Sequence, residues 1–189
     1  MADDFKRAVV WKNLLLNGTD YCGLWHTPDG WLLKGTVLGV LKDQRPMQVN
    51  YEIYGDENWL THRVQVERTI GSDVRSLGLN VESRGAWHSS GQEIRGIRGC
   101  NDIDLAVTPA TNTVAIRRLN LQVGRSAAIT AAWVKFPELT IQPLSQHYTR
   151  LGKDIYRYES NTGFSAEILV DDLGLVTAYP GGWERIGSL

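Results

Sequence analysis

Two aspartates and two arginines are the residues whose types and spacing could do chemistry. Asp102 and Asp104 lie two positions apart, and Arg117 and Arg118 follow after a segment that contains proline and asparagine. If residues 102–107 form a strand, both carboxylates project from the same face. Neighbouring carboxylates repel each other and need a cation, hydrogen-bond donors or water. An arginine that returns to this face would supply the cation.

Three interpretations of this cluster are open. In the first, the aspartates and arginines form an ion-pair network that pins two strands, while Thr111 and Asn112 bond the backbone of a turn. In the second, the cluster lines the mouth of a pocket and holds a polar head group. In the third, Asp102 and Asp104 act as the acid/base pair of a hydrolase, since Cα atoms on one strand face lie about 7 Å apart.

Other catalytic and metal signatures are absent from the sequence. The four histidines show no HxH, HExxH or Cys/His spacing, so no metal site is predicted. No nucleophile elbow, phosphate loop or dinucleotide-binding glycine motif occurs, so no cofactor is predicted. Cys22 and Cys100 form no CxxC pair and are expected to be reduced thiols.

Composition and charge narrow the function classes. The 189 residues carry 20 Lys and Arg against 21 Asp and Glu, which removes the electrostatic case for nucleic-acid binding. Fourteen of the cations are arginines, and seven tryptophans and seven tyrosines far outnumber three phenylalanines. Such residues suit contact with sugars or amphiphiles, although β-strands also favour aromatics. The N-terminus has no secretory pattern and no apolar run approaches a membrane span, so we expect a cytoplasmic protein.

Period-2 alternation dominates the chain and predicts a mainly β protein. Residues 47–53, 102–107 and 164–170 alternate apolar with mostly polar side chains, as half-buried strands do. Glycine- and asparagine-rich turns separate most of the segments, which favours antiparallel neighbours. We therefore predict one domain over residues 1–189, a twisted antiparallel meander that is closed or rolled on itself, with little helix. Further candidate strands are 8–12, 20–26, 31–41, 59–70, 74–83, 116–123, 127–136, 139–149, 154–159 and 175–179.

A glycine- and arginine-rich stretch, residues 83–99, interrupts this alternation. It contains Arg84, Arg95 and Arg98 around Trp87. We expect irregular structure or short strands at a sheet edge, where Trp87 is either a ligand platform or an ordinary edge-strand side chain. Glycines on the inward face of the third predicted strand leave room either for a ligand or for a neighbouring side chain.

The segment 100–119 resembles the signature of a small bacterial family, the "putative glycolipid-binding" family. That pattern runs close to CxDxDxxxTPxTNTLPIRRL, and the chain departs from it at Val114-Ala115, where the family has Leu-Pro. Similarity continues at 131–139, 156–158, 170–176 and 179–180, and an early Trp11 and Trp25 also fit. The matching positions are Cys100, Asp102, Asp104, Thr108, Pro109, Thr111, Asn112, Thr113, Ile116, Arg117, Arg118 and Leu119.

The resemblance implies a many-stranded spiral β-roll, similar in shape to the half-barrels of lipoprotein carriers, which hold acyl chains in an apolar hollow. The leading hypothesis is a non-catalytic protein that binds a glycolipid or another amphiphile in a hollow of the sheet. The hydrolase and a protein with no small ligand, used for structure or interaction, are the alternatives. The polar rim is predicted to comprise Asp102, Asp104, Asn112, Arg117 and Arg118, with Trp87 or Trp25.

Overall fold

The computed structural model describes residues 3–82 and 85–189, so Arg84 lies outside the described residues. Fifteen strands in this part of the chain form a single sheet, and one α-helix, α1 (Ala110–Leu119), and a 3-10 turn (Arg95–Ile97) accompany it. The strands are β1 (Asp4–Asn13), β2 (Gly18–Thr27), β3 (Gly30–Val40), β4 (Pro46–Gly55), β5 (Thr61–Ile70), β6 (Asp73–Glu82), β7 (Ala86–Ser89), β8 (Gln92–Glu93), β9 (Asp102–Leu105), β10 (Ser126–Lys135), β11 (Thr140–Arg150), β12 (Ile155–Ser160), β13 (Ser165–Val170), β14 (Val176–Tyr179) and β15 (Trp183–Ser188).

The sheet consists of two meanders joined at the chain ends. Its order is β8 to β1 followed by β15 down to β9, with β1 and β15 paired antiparallel in the middle. Only the β9–β10 pair is parallel, because α1 connects these two strands as a crossover. Strands β8 and β9 are the two edges and are not hydrogen-bonded to each other, so the sheet is not closed. The prediction of a mainly β, rolled antiparallel meander is confirmed.

Most predicted strands are present, and the differences lie at the ends of the second meander. β15 has no counterpart among the predicted strands, because only Trp183 in its six residues is buried and the alternation is weak. The predicted strand 116–123 is wrong: its first half is the end of α1, and residues 120–125 are loop and turn. In the 83–99 stretch, the described part forms short edge strands and the 3-10 turn, as expected.

Helix α1 forms where the sequence predicted a turn. Thr108 Oγ1 accepts a hydrogen bond from the Ala110 N–H, and Pro109 precedes the first helical residue, where proline is well tolerated. The helix is capped at its C-terminus by Asn120, whose φ of 42° lies in the left-handed region. Two arginines in the last turn interact favourably with the negative end of the helix dipole.

Every residue of α1 from Ala110 to Ile116 is buried, so the helix occupies the interior of the roll. Around it lie the inward-facing apolar side chains of both meanders, among them Trp11, Leu33 and Ile168. The inward glycines of β3 make room for neighbouring side chains, since a Cβ at Gly35 would lie 2.4 Å from the Tyr51 ring. The apolar hollow that the family resemblance implied is therefore filled by the chain itself in this region.

Candidate functional site

The Asp102 carboxylate is paired with Arg118 across the β9–α1 connection. The guanidinium Nε and Nη2 donate to its two oxygens at 2.7 and 2.6 Å, a bidentate geometry. Asp102 is 1% exposed, whereas the Arg118 side chain is 19% exposed. The pair therefore ties the last turn of the internal helix to an edge strand. The ion-pair interpretation predicted a pairing of this kind between two strands, whereas Arg118 lies on a helix.

The Asp104 carboxylate belongs to a separate polar chain that ends on α1. Gln146 Nε2 donates to Asp104 Oδ2, and Asn112 Nδ2 donates to the Tyr148 hydroxyl at 3.0 Å. The Tyr148 hydroxyl lies 3.5 Å from Gln146 Oε1, which joins the two contacts. Burial raises the pKa of Asp104 to about 6, although the Gln146 hydrogen bond opposes the rise.

A cleft of about 380 Å³ lies beside the ion pair. Asp102 and Arg118 line it together with Asn101, Thr130 and Gln146. Asp104, Asn112 and Arg117 are not among its lining residues.

The remaining residues of the predicted rim lie elsewhere. The Arg117 guanidinium lies 5.6 Å from the centroid of the Trp59 ring, and its aliphatic part packs near Gly174. Trp87 is fully buried, and its indole N–H donates to the Cys100 carbonyl at 2.8 Å. In this structure Trp87 is thus an anchor within the core and presents no surface to a ligand outside the protein.

Sequence reasoning missed a third buried polar cluster, centred on Asp20. The Tyr51 hydroxyl donates to Asp20 Oδ1 at 3.2 Å and accepts from Thr108 Oγ1 at 3.2 Å, just before α1 begins. Asp20 is 0% exposed, and its Oδ2 has no hydrogen-bond partner among the described residues. Burial raises the pKa of Asp20 to about 8 against the opposing hydrogen bonds. A lone aspartate in an aromatic-rich strand gave no signal of this environment.

The outer face of β2–β6 carries a larger feature, a groove of about 970 Å³ that we call the outer groove. Trp25 and Tyr21 line it from β2, and Leu32 adds an apolar side chain from β3. The polar lining residues of the groove are Asp3, Lys34, Thr36, Asn50, Glu52, Gln65, Glu67 and Ser76. Apart from Asp3, which precedes β1, these are outward positions of the predicted strands, so their shared face was readable from the sequence.

The Trp25 ring lies in the outer groove over a glycine two positions earlier in the chain. A Cβ at Gly23 would lie 2.1 Å from Trp25 Cη2, so the indole occupies the space above this glycine. Phe5 packs edge-on against the indole, with ring centroids 5.7 Å apart. Trp25 is therefore the one predicted rim residue that lies in the outer groove.

The polar side chains of the outer groove are held by contacts between neighbouring strands. Lys34 Nζ and Glu52 Oε1 lie 2.7 Å apart, and the Tyr54 hydroxyl donates to Glu52 Oε2 at 2.7 Å. These two contacts hold the pKa of Glu52 below its ordinary value, so the carboxylate is ionised at neutral pH. Thr36 Oγ1 donates to Asn50 Oδ1 at 2.9 Å, which orients a second donor–acceptor pair.

Two further observations concern metal sites and membrane-spanning helices in the described residues. No group of three or more His, Cys, Asp or Glu side chains in residues 3–82 and 85–189 is arranged to hold a metal ion. Within the same residues, no helix combines the length and apolarity that crossing a bilayer requires.

A single, mostly antiparallel sheet of two meanders around a buried helix defines the fold class, and a solved structure shares this fold. Residues 8–185 match the model of the family described as "Putative glycolipid-binding", and the chain belongs to this family. It is also similar to a crystal structure of a DUF1089 family protein from Pseudomonas aeruginosa. The two are 32% identical with a TM-score of 0.81, over 88% of this chain and 92% of the other. No curated protein matches the chain.

Proposed function

We propose that the protein binds the sugar head group of a glycolipid in the outer groove and performs no chemistry on it. The observation that carries the proposal is the seat of Trp25, whose ring fills the space above Gly23 beside Tyr21 at the edge of an open groove. An indole offers a large rigid apolar surface at a small cost in conformational entropy. The apolar C–H face of a pyranose can pack on such a surface.

The polar lining supplies partners for sugar hydroxyl groups. Glu52 and Asn50 present acceptor oxygens, while Lys34 and Gln65 present donors, all on strands rather than on loops. Side chains that are already bonded to each other, as Lys34 and Glu52 are, lose little freedom when a ligand binds. A few placed polar groups beside apolar side chains are typical of small-molecule sites.

The same groove suits an amphiphile better than the interior does. Leu32 stands opposite Trp25 on β3 and also lines the groove, so an alkyl chain next to the sugar would also contact apolar atoms. Inside the roll, α1 and the core side chains occupy the central space. The family name supports glycolipid binding in general, and the location on the outer face is our own assignment.

The hydrolase alternative receives no specific support from the cluster that motivated it. Asp102 is committed to Arg118 and Asp104 to Gln146, so both carboxylates already have partners in the chain. The hydrolase and the alternative of a structural or interaction role both stay predictions. Turnover of a chromogenic glycoside by the wild type, lost in Asp104→Asn, would establish the hydrolase.

Replacing Trp25 tests the proposal. We expect Trp25→Ala to weaken binding of octyl glucoside, kept below its micelle concentration, by about tenfold or more, because a central aromatic contact carries much of the binding energy. Isothermal titration calorimetry would measure the affinity. The matched control is Trp133→Ala, since Trp133 is also half-buried but lies on β10, with Lys135 over its ring.

The control variant is expected to bind within about twofold of the wild type, the scatter expected for a surface change away from the site. Equal affinity of Trp25→Ala and the wild type would refute the assignment of the groove. Absence of binding by the wild type to any alkyl glycoside would refute glycolipid binding itself.

A further inference from the structure

We infer that the outer groove selects glycolipids whose sugar carries an amine, accepts uncharged sugars less well, and rejects sugars that carry an anionic group. This inference rests on the proposed function, because it specifies the ligand class of the same groove. Its basis is the charge and pairing of the side chains that line the groove.

The lining residues carry more negative than positive charge. Asp3, Glu52 and Glu67 contribute carboxylates, whereas Lys34 is the only cation among the described lining residues. The Lys34 ammonium is bonded to Glu52 at 2.7 Å, so these two charges offset each other. The lining therefore offers an anionic ligand no uncompensated cation.

Two carboxylates of the groove are left without a cationic partner in the described structure. Glu67 is exposed on β5, where it stands opposite Asn50 on one side and Ser76 on the other. Asp3 is exposed just before β1 and, like Glu67, forms no ion pair among the described residues. An ammonium group on a sugar held between these strands would face uncompensated negative charge.

A further cation, Arg63, lies near Glu52 but does not line the groove. The Arg63 guanidinium lies 5.2 Å from the centroid of the Tyr54 ring, and Arg63 lowers the pKa of Glu52 only as the smallest of several causes. Because Arg63 lies over this ring and does not line the groove, the net charge of the lining residues stays negative.

Three alkyl glycosides that differ only in charge test the inference. Octyl 2-amino-2-deoxyglucoside, octyl glucoside and octyl glucuronide share the chain and the ring, and at about pH 6 the amine is protonated and the uronate is ionised. Two unit charges about 6 Å apart in water change an affinity by about threefold. We expect affinities in the order amine, uncharged and uronate, with about threefold or more between successive ligands at low salt.

The variant Glu67→Gln identifies the source of the preference. It removes one unpartnered charge and keeps the shape, so the ratio of amine to uronate affinity is expected to fall about threefold or more. Glu138→Gln is the control, because Glu138 is also exposed, lies in a turn after β10 and does not line the groove. The preference should also shrink as salt rises, since these charges face solvent.

The outcomes separate the inference from the proposed function. The charge selection is overturned if the uronate binds as tightly as the amine, or if Glu67→Gln leaves the ratio of amine to uronate affinity unchanged. Either result overturns it even if Trp25→Ala abolishes binding. Absence of binding by all three glycosides overturns both. The expected order together with a reduced ratio in Glu67→Gln supports the inference.

Discussion

The β9–α1 region and the outer groove use polar residues in opposite ways. In the β9–α1 region, Asp102 and Asp104 each find a partner within the chain, and the contacts converge on a buried helix. In the outer groove, polar and aromatic side chains stand at the surface around an open volume. The segment most conspicuous in the sequence therefore builds the interior, while an ordinary alternating pattern lines the accessible groove.

The strongest test of this comparison removes the cation from the buried ion pair. Arg118→Ala leaves the Asp102 carboxylate, 1% exposed, without its bidentate partner. Breaking a buried pair from one side costs about 3–5 kcal/mol, and the partial exposure of Arg118 places this case near 3 kcal/mol. We expect the free energy of unfolding, measured by urea denaturation, to fall by about that amount.

The matched control is Arg157→Ala, which removes an ion pair with Glu167 whose two side chains are both about half exposed. Exposed pairs contribute about 0–1 kcal/mol, so this variant should unfold close to the wild type. If Arg118→Ala were as stable as its control and lost glycoside binding instead, the β9–α1 region would be the site and our assignment would be reversed.

The second test concerns the buried Asp20 beside the start of α1. Its pKa is about 8 in the folded protein, and an unfolded aspartate titrates near 4. Between these two pH values the folded state holds one proton more than the unfolded state. The free energy of unfolding therefore falls by about 1.4 kcal/mol for each unit by which the pH rises. Asp20→Asn should flatten this dependence between about pH 6 and pH 8.

Asp104→Asn serves as the comparison for Asp20→Asn. The folded pKa of Asp104 is about 6, so Asp104 contributes to the pH dependence of unfolding only up to about pH 6. Above pH 6 the slope of the unfolding free energy against pH should therefore be the same in Asp104→Asn as in the wild type. Urea denaturation at several pH values measures both slopes. Equal slopes in Asp20→Asn and the wild type would show that Asp20 is ionised well below pH 8.

The strands could be predicted because their residues face two different environments. In β4, Met47, Val49, Tyr51 and Ile53 point inward and polar residues point outward, a pattern that only a half-buried strand satisfies. Helix α1 could not be predicted in this way. From Ala110 to Ile116 it is buried on all sides, including the polar Thr111, Asn112 and Thr113, so no solvent-facing side reveals a 3.6-residue period.

The site was harder to predict than the fold because it depends on which face of the sheet is covered. The sequence placed Asp102 and Asp104 on one face correctly, yet nothing in it showed that a helix would return over that strand. Trp25 was selected for its type and for the family resemblance. The role of Gly23 depends on where the Trp25 ring lies, and only the structure gives that position.

The smallest expected effect tests that role directly. In Gly23→Ala, the new methyl group would lie 2.1 Å from Trp25 Cη2, so the flexible end of the indole must move away from its seat. Losing a well-placed aromatic contact costs about 0.5–1.5 kcal/mol, which corresponds to an affinity for octyl glucoside about two- to thirteenfold weaker. Gly187→Ala on β15 is the control, because its methyl group meets only Val10 at an ordinary 3.9 Å.

If calorimetry gave the same affinity for both variants while the Trp25 indole resonance shifted only in Gly23→Ala, the ring would have moved without loss of binding. The seat above Gly23 would then have no part in recognition, and the contrast between the two regions would rest on the polar lining alone.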